Sequence, residues 1–267
     1  MALVRVGDIE LDCERSGSGP PLFLIMGMSG TFSHWGEAFL GELRRDFEVI
    51  VYDHRGVGAS SRLEGPITIH RLAEDVGGLL DALEIDSAHV LGISMGGMVA
   101  QELALARPGR LRTLTLGCTY CGGPGSPGIG VEAVRMLAEA RRSGDRERAI
   151  RASWEANVSP AYAADAQAWA SFHELGMRRS VALAVIVEQA RAIAGHDTSA
   201  RLSEIALPTL VLHGTADRIL PVQNGRMVAG QIPGARLELF DDVGHLFFWE
   251  LPERSAELLR EHAAVHA

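Results

Sequence analysis

The sequence predicts an α/β protein: a mostly parallel, eight-stranded sheet flanked by helices, with a helical cap inserted after the sixth strand. Three observations point there. Short apolar runs alternate with longer segments of 3.6-residue period. Runs such as "AHVLGI" (88–93) and "TLVLHG" (209–214) are almost continuously apolar, as strands covered on both faces must be. And "HVLGISMGGMVAQELALARP" (89–108) passes from strand pattern to helix pattern through a glycine-flanked serine, with no loop between them.

Taken in order, the N-terminal "LVRVGDIELDCERSG" alternates apolar and polar residues around Gly7-Asp8, which reads as an antiparallel hairpin at the sheet edge. Six further strands are expected at 22–26, 47–53, 88–93, 111–117, 209–214 and 236–241. Helical periodicity covers about 32–45, 68–84, 95–107, 221–231 and 246–264. Between 117 and 209 no strand pattern occurs. That interval opens on "GGPGSPGIG" (122–130), a hinge or a long turn. It continues as helical stretches at about 130–142, 145–156 and 161–194 and closes at Leu207-Pro208. The expected division is therefore a core of 1–118 and 207–267, with 119–206 as a cap over the end of the sheet.

Bulk properties exclude some functions. Among 267 residues, 34 acidic side chains outweigh 25 basic ones, and the formal net charge of −9 argues against a nucleic-acid binder. The N-terminus lacks a basic stretch followed by an apolar one, and runs such as "VALAVIV" (181–187) are too short to span a bilayer. A soluble cytoplasmic protein without membrane association is the expectation. Three cysteines, Cys13, Cys118 and Cys121, read as free thiols. "CTYC" (118–121) has redox spacing but does not open a helix, and no second ligand pair suits zinc. No metal and no cofactor is expected; homo-oligomerisation stays open.

Ser94 carries the chemistry. A sharp strand-to-helix turn brings Gly92 and Gly96 against the backbone, where a Cβ would clash, and holds the serine hydroxyl outward. The alternative is a serine that merely caps the helix. With its glycines, "LGISMGGMVAQELALARP" (91–108) resembles the nucleophile region of the α/β-hydrolase superfamily. So do "VIVYDHRGVGASS" (49–61), "VLHGTADRILP" (211–221) and "VGHLFFWELPE" (243–253). The resemblance covers nearly the whole chain outside the cap. It implies the fold far more sharply than the substrate.

A serine hydroxyl needs a base, and the superfamily order Ser…Asp…His matches Ser94…Asp217…His245. His245 would take the proton and Asp217 would orient the imidazole; Asp241 and Asp242 compete weakly. Asp53 is a poorer acid because Arg55 is expected to engage it. His54 and His213 read as local structural histidines. The oxyanion donors implied are the amides of Met95, after the nucleophile, and of Met28, in "LIMGMSG" (24–30). Many relatives carry His-Gly where this chain has Met26-Gly27, so a bracing side chain is lost. Met26, Met28 and Met95 suggest an apolar, adaptable wall.

Substrate contacts are expected from Gly27, His34, Trp154, Leu246 and Phe247, although most cap aromatics should simply pack the cap to the core. No Lys or Arg cluster is evident near Ser94, so a small, neutral, fairly apolar ester or lactone is the expected substrate. The same residues would serve C–C bond hydrolysis, perhydrolysis or acyl transfer. A haloalkane dehalogenase is disfavoured because the nucleophile position holds serine. A non-catalytic ligand-binding member is the reading from a different class.

Overall fold

The computed structural model describes residues 2–266. Its sheet has eight strands: β1 (Ala2–Val6), β2 (Ile9–Gly17), β3 (Pro21–Ile25), β4 (Glu48–Tyr52), β5 (Ala88–Ile93), β6 (Leu111–Gly117), β7 (Thr209–Gly214) and β8 (Arg236–Phe240). The spatial order is β1-β2-β4-β3-β5-β6-β7-β8. The β1–β2 hairpin turns at Gly7-Asp8 and joins β4 antiparallel; every pairing from β4 to β8 is parallel. Every residue of β5 and β7 is buried, which is why those strands read as unbroken apolar runs.

Helices cover both faces. On one lie α2 (Ile69–Ala82), α3 (Met95–Ala106) and α9 (Gln223–Gln231), whose Leu72, Val76, Val99, Leu103 and Val228 share one apolar cluster with Phe23, Ile50, Val90 and Val211 of the sheet. On the other lie α1 (Glu37–Leu43) and α11 (Pro252–Val265), whose Phe39, Leu43, Leu258 and Leu259 share a second apolar cluster with Leu22, Val49 and Leu210.

Five helices lie between β6 and β7: α4 (Val131–Arg142), α5 (Arg146–Asn157), α6 (Pro160–Ala163), α7 (Ala166–Arg178) and α8 (Leu183–Ala194). They have a small core of their own around Ile150, Trp154, Val158 and Phe172. The expected stretch 161–194 is thus three helices, not one. Asp165 caps α7 by accepting from the Gln167 and Ala168 amides, and α7 ends at an extended Arg179. The glycine-rich 122–130 is tied down rather than loose. Gly122 bridges to Asp197, Gly130 donates to Ile219, and the Asn224 side chain donates to the Gly128 carbonyl.

Two more expected helices are broken. Gly36, at φ 76°, separates a 3-10 turn (Phe32–Trp35) from α1. Leu251-Pro252 separates α10 (Phe247–Glu250) from α11, with proline in the first turn where its missing N–H costs nothing.

The turn after β5 is tighter than any side chain allows. A Cβ on Gly96 would lie 2.0 Å from the Ile25 carbonyl oxygen, and one on Gly92 would lie 2.2 Å from that of Gly96. Gly96→Ala should therefore lower unfolding free energy by about 3 kcal/mol, the upper end for overpacking, because only backbone can move aside. Urea unfolding checks this, and a loss under about 1 kcal/mol would show the turn to be more yielding than drawn.

Candidate active site

Ser94 stands between β5 and α3 at φ 56° and ψ −122°, a backbone conformation that L residues rarely hold. The turn is held by its main chain. Its amide donates to the Gly117 carbonyl, and its carbonyl accepts from the amides of Gly97 and Met98 and from the Thr119 hydroxyl at 2.7 Å. The Ser94 side chain makes no capping bond to α3. The inert helix-cap alternative therefore does not describe it, and the hydroxyl is left to the cavity it lines.

Asp217 lies in the turn after β7. One carboxylate oxygen accepts from the Ile219 and Leu220 amides at 2.8 and 2.9 Å, and so shapes the turn. The other meets His245 Nδ1 at 2.6 Å and His213 Nε2 at 3.3 Å. Burial would raise this carboxyl, but the His245 charge and the hydrogen bonds of both histidines outweigh it and hold Asp217 below the usual carboxylate range. Asp241 and Asp242 are exposed and stay out of this network. His213 also contacts the Leu220 carbonyl at 2.8 Å, consistent with a structural part.

The His245 loop is anchored by Glu250. One of its carboxylate oxygens accepts from both the Gly244 and Ser159 amides at 2.8 Å, tying the loop to the segment between α5 and α6. His245 lines the same cavity as Ser94, and among the described residues no hydrogen bond joins its ring to the serine hydroxyl. Asp217 and His245 are brought together directly, whereas Ser94 and His245 share a cavity.

The amides of Met28 and Met95 have no protein acceptor among the described residues. The bracing lost with Met26-Gly27 is supplied from elsewhere. His54 Nε2 donates to the Met26 carbonyl at 2.9 Å, Asp53 accepts from the Phe32 amide at 2.6 Å, and Gln189 accepts from the Ser29 amide at 2.9 Å. Burial pushes Asp53 up to about 6, against the opposing Phe32 hydrogen bond and Arg179 charge. Arg55 does not engage Asp53 as expected; it forms a forked pair with Asp75, at 2.5 and 2.6 Å.

The cavity holds about 360 Å³. Met26, Met28, Ile93, Ile186, Ile219 and Leu246 give it apolar walls, with Phe172 of α7. Gly27, His34 and Leu246 line it as expected. Burial, aided by the Arg179 charge, lowers His34 to about 4. The neutral ring accepts the Thr31 amide at Nδ1 and keeps its proton at Nε2.

Two expected contacts need correction. Trp154 is fully buried among Tyr162, Trp169, Phe172 and Trp249, and Phe247 is fully buried against Phe240 and Phe248. Both are packing residues, as is the fully buried side chain of Met95. The expectation of no basic cluster also fails: Arg141, Arg146 and Arg179 all line the cavity, with Asp145 alone of the acids.

Cys118, Asp217 and His245 offer ligand atoms within 4.8 Å of one another. Burial, with Asp217 alongside, raises the Cys118 thiol well above its ordinary value, and Asp217 already meets His245 Nδ1 at 2.6 Å. Cys121 is raised by burial too, and all three cysteines are free, so "CTYC" makes no activated pair. No helix among the described residues is long and apolar enough to cross a membrane.

Residues 20–252 match the model of the alpha/beta hydrolase fold family. The chain is 30% identical over 264 residues to "Putative carbamate hydrolase RutD" of Azorhizobium caulinodans, covering 97% of each. A hydrolase from Pseudomonas aeruginosa superposes with a TM-score of 0.84 at 32% identity, over 98% of this chain and 97% of the other. Est816, an N-acyl homoserine lactone degrading enzyme, does so with a TM-score of 0.80 at 30% identity, over 97% and 99%.

Proposed function

The chain belongs to the alpha/beta hydrolase fold family, and on that premise we propose that it hydrolyses carboxylic esters or lactones through an acyl-enzyme on Ser94. The observation that carries this reading is the 2.6 Å contact between His245 Nδ1 and Asp217 in the wall of the cavity that Ser94 lines. With Nδ1–H donated to the carboxylate, Nε2 is the basic nitrogen and can receive the serine proton. The similarity to a lactone-degrading enzyme supports the same class of acyl chemistry.

In the first half-reaction the Ser94 Oγ–H bond breaks, its proton passes to His245 Nε2, and Oγ bonds to the acyl carbon. The amides of Met28 and Met95 hold the oxyanion of the tetrahedral intermediate. Collapse expels the alkoxide, which takes the proton from His245; in a lactone the alcohol stays tethered to the acyl chain. Water then gives a proton to His245, attacks the acyl carbon and releases Ser94, which regains the proton. Asp217 stays ionised throughout and stabilises the imidazolium. Residues 119–206 act as a cap in this scheme, since α4, α5, α7 and α8 all contribute cavity walls.

The test is a panel of p-nitrophenyl esters and lactones, read by spectrophotometry and pH-stat, alongside labelling with a fluorophosphonate probe. Turnover and stoichiometric labelling of Ser94 are expected. A protein that neither turns over any acyl substrate nor labels would be a binding module of the fold.

A further inference from the structure

Of the three arginines in the cavity wall, two have evident structural partners. Arg179 lies 3.5 Å from Asp53 and 3.9 Å from Asp12. Arg146 donates to the carbonyls of Gly176 and Met177 at 2.9 and 2.7 Å. Arg141, in the last turn of α4, differs. Its guanidinium donates to the Ser29 hydroxyl at 3.1 Å, and it forms no ion pair among the described residues. It is half-buried, and burial alone depresses its pKa; Asp145, the acid in the same cavity wall, caps α5 through the Arg148 amide and forms no ion pair with it among the described residues. A guanidinium has five donors in a flat fork that fits a carboxylate, and one kept from water without a counter-ion is costly. Salt-bridged arginines elsewhere in this chain, such as Arg55 on Asp75, show what is missing here.

The position gives that cost a use. Ser29 follows Met28, whose amide is the oxyanion donor of the reading above, and Ser29 is itself locked by Gln189 of α8. Ser94, Ser29 and Arg141 therefore line one cavity of about 360 Å³, a volume suited to one small molecule.

We propose that Arg141 is a specificity residue that binds a carboxylate carried by the substrate, so that the preferred substrate is the half-ester or lactone of a dicarboxylic acid. This rests on the ester or lactone reading and narrows it from neutral to anionic acyl substrates. The substrate's carboxylate takes the free edge of the guanidinium fork while its scissile carbonyl lies at Ser94. Binding supplies the counter-ion that the protein itself withholds.

The experiment compares mono-p-nitrophenyl esters of C4 to C8 dicarboxylic acids with the same compounds capped as methyl esters. The wild-type enzyme is expected to favour the free acid by about 10-fold or more in kcat/KM at one or more chain lengths, the effect of a charge-assisted pair. Arg141→Met should bring that ratio to within about 2-fold of unity, and Arg141→Lys should restore part of it. No preference in the wild type, or a preference that survives in Arg141→Met, overturns the proposal. Thermal shifts with the free C4 to C8 dicarboxylates keep it independent of turnover. Stabilisation of the wild type and not of Arg141→Met supports the subsite even if no ester reacts. In that case the hydrolase reading falls and the anion site stands. Equal shifts in both proteins sink the subsite.

Discussion

Ser94→Ala is expected to lower turnover of any ester the protein hydrolyses by about 10⁴–10⁶-fold and to abolish fluorophosphonate labelling. The size follows from the proposed mechanism, in which nucleophile and base act as one unit and what survives is the oxyanion pair and substrate binding alone. The structure makes this a clean deletion. The turn is held by the main-chain bonds of Ser94 to Gly117, Gly97, Met98 and Thr119, and its hydroxyl caps nothing. Alanine at φ 56° carries the same backbone strain as serine, so unfolding free energy should change by less than about 1 kcal/mol. Retention of more than about a tenth of the wild-type rate would remove Ser94 from the nucleophile position.

That the turn was legible in the sequence, and much else was not, has a physical reason. Glycines at 92 and 96 report a close backbone approach, and the approach is there: an added Cβ would lie 2.2 Å from the nearest carbonyl oxygen at Gly92 and 2.0 Å from it at Gly96. Continuous apolar runs likewise betray strands covered on both faces. Helix ends inside a periodic stretch are harder: periodicity runs through Gly36 and Leu251-Pro252, yet the chain breaks at both. Contacts between distant segments leave no local signal at all. Arg141 and Ser29 are 112 residues apart, and Gln189 and Ser29 are 160 apart, so no spacing rule joins them. Arg55 illustrates the same gap: Asp53 is its nearer acid in sequence, and Asp75, one helix away, is its partner in space. Trp154 and Phe247 read equally well as contacts or as packing until burial separates the two.

Asp217→Asn is the second large effect, and its cause is a tautomer rather than a lost contact. Asparagine can still accept the Ile219 and Leu220 amides at Oδ1, so the turn after β7 should persist. The group facing His245 Nδ1 then becomes an amide donor. The ring answers by placing its proton on Nε2, the nitrogen that receives the Ser94 proton in the proposed mechanism. Turnover should fall by about 10³–10⁴-fold, with KM little altered and fluorophosphonate labelling slowed in proportion. The same substitution changes acid stability in a defined sense. Asp217 is held below its unfolded value, so its ionised form contributes to stability above about pH 4, and that contribution drains away as pH falls through and below this point. Urea unfolding at stepped pH should show wild type and variant converging as acid is added, because the variant has no such carboxyl to protonate. A constant gap between them down to about pH 3 would mean that the two histidines do not hold the Asp217 charge in the folded state. The pairing of Asp217 with His245 would then have no energetic weight behind its 2.6 Å contact.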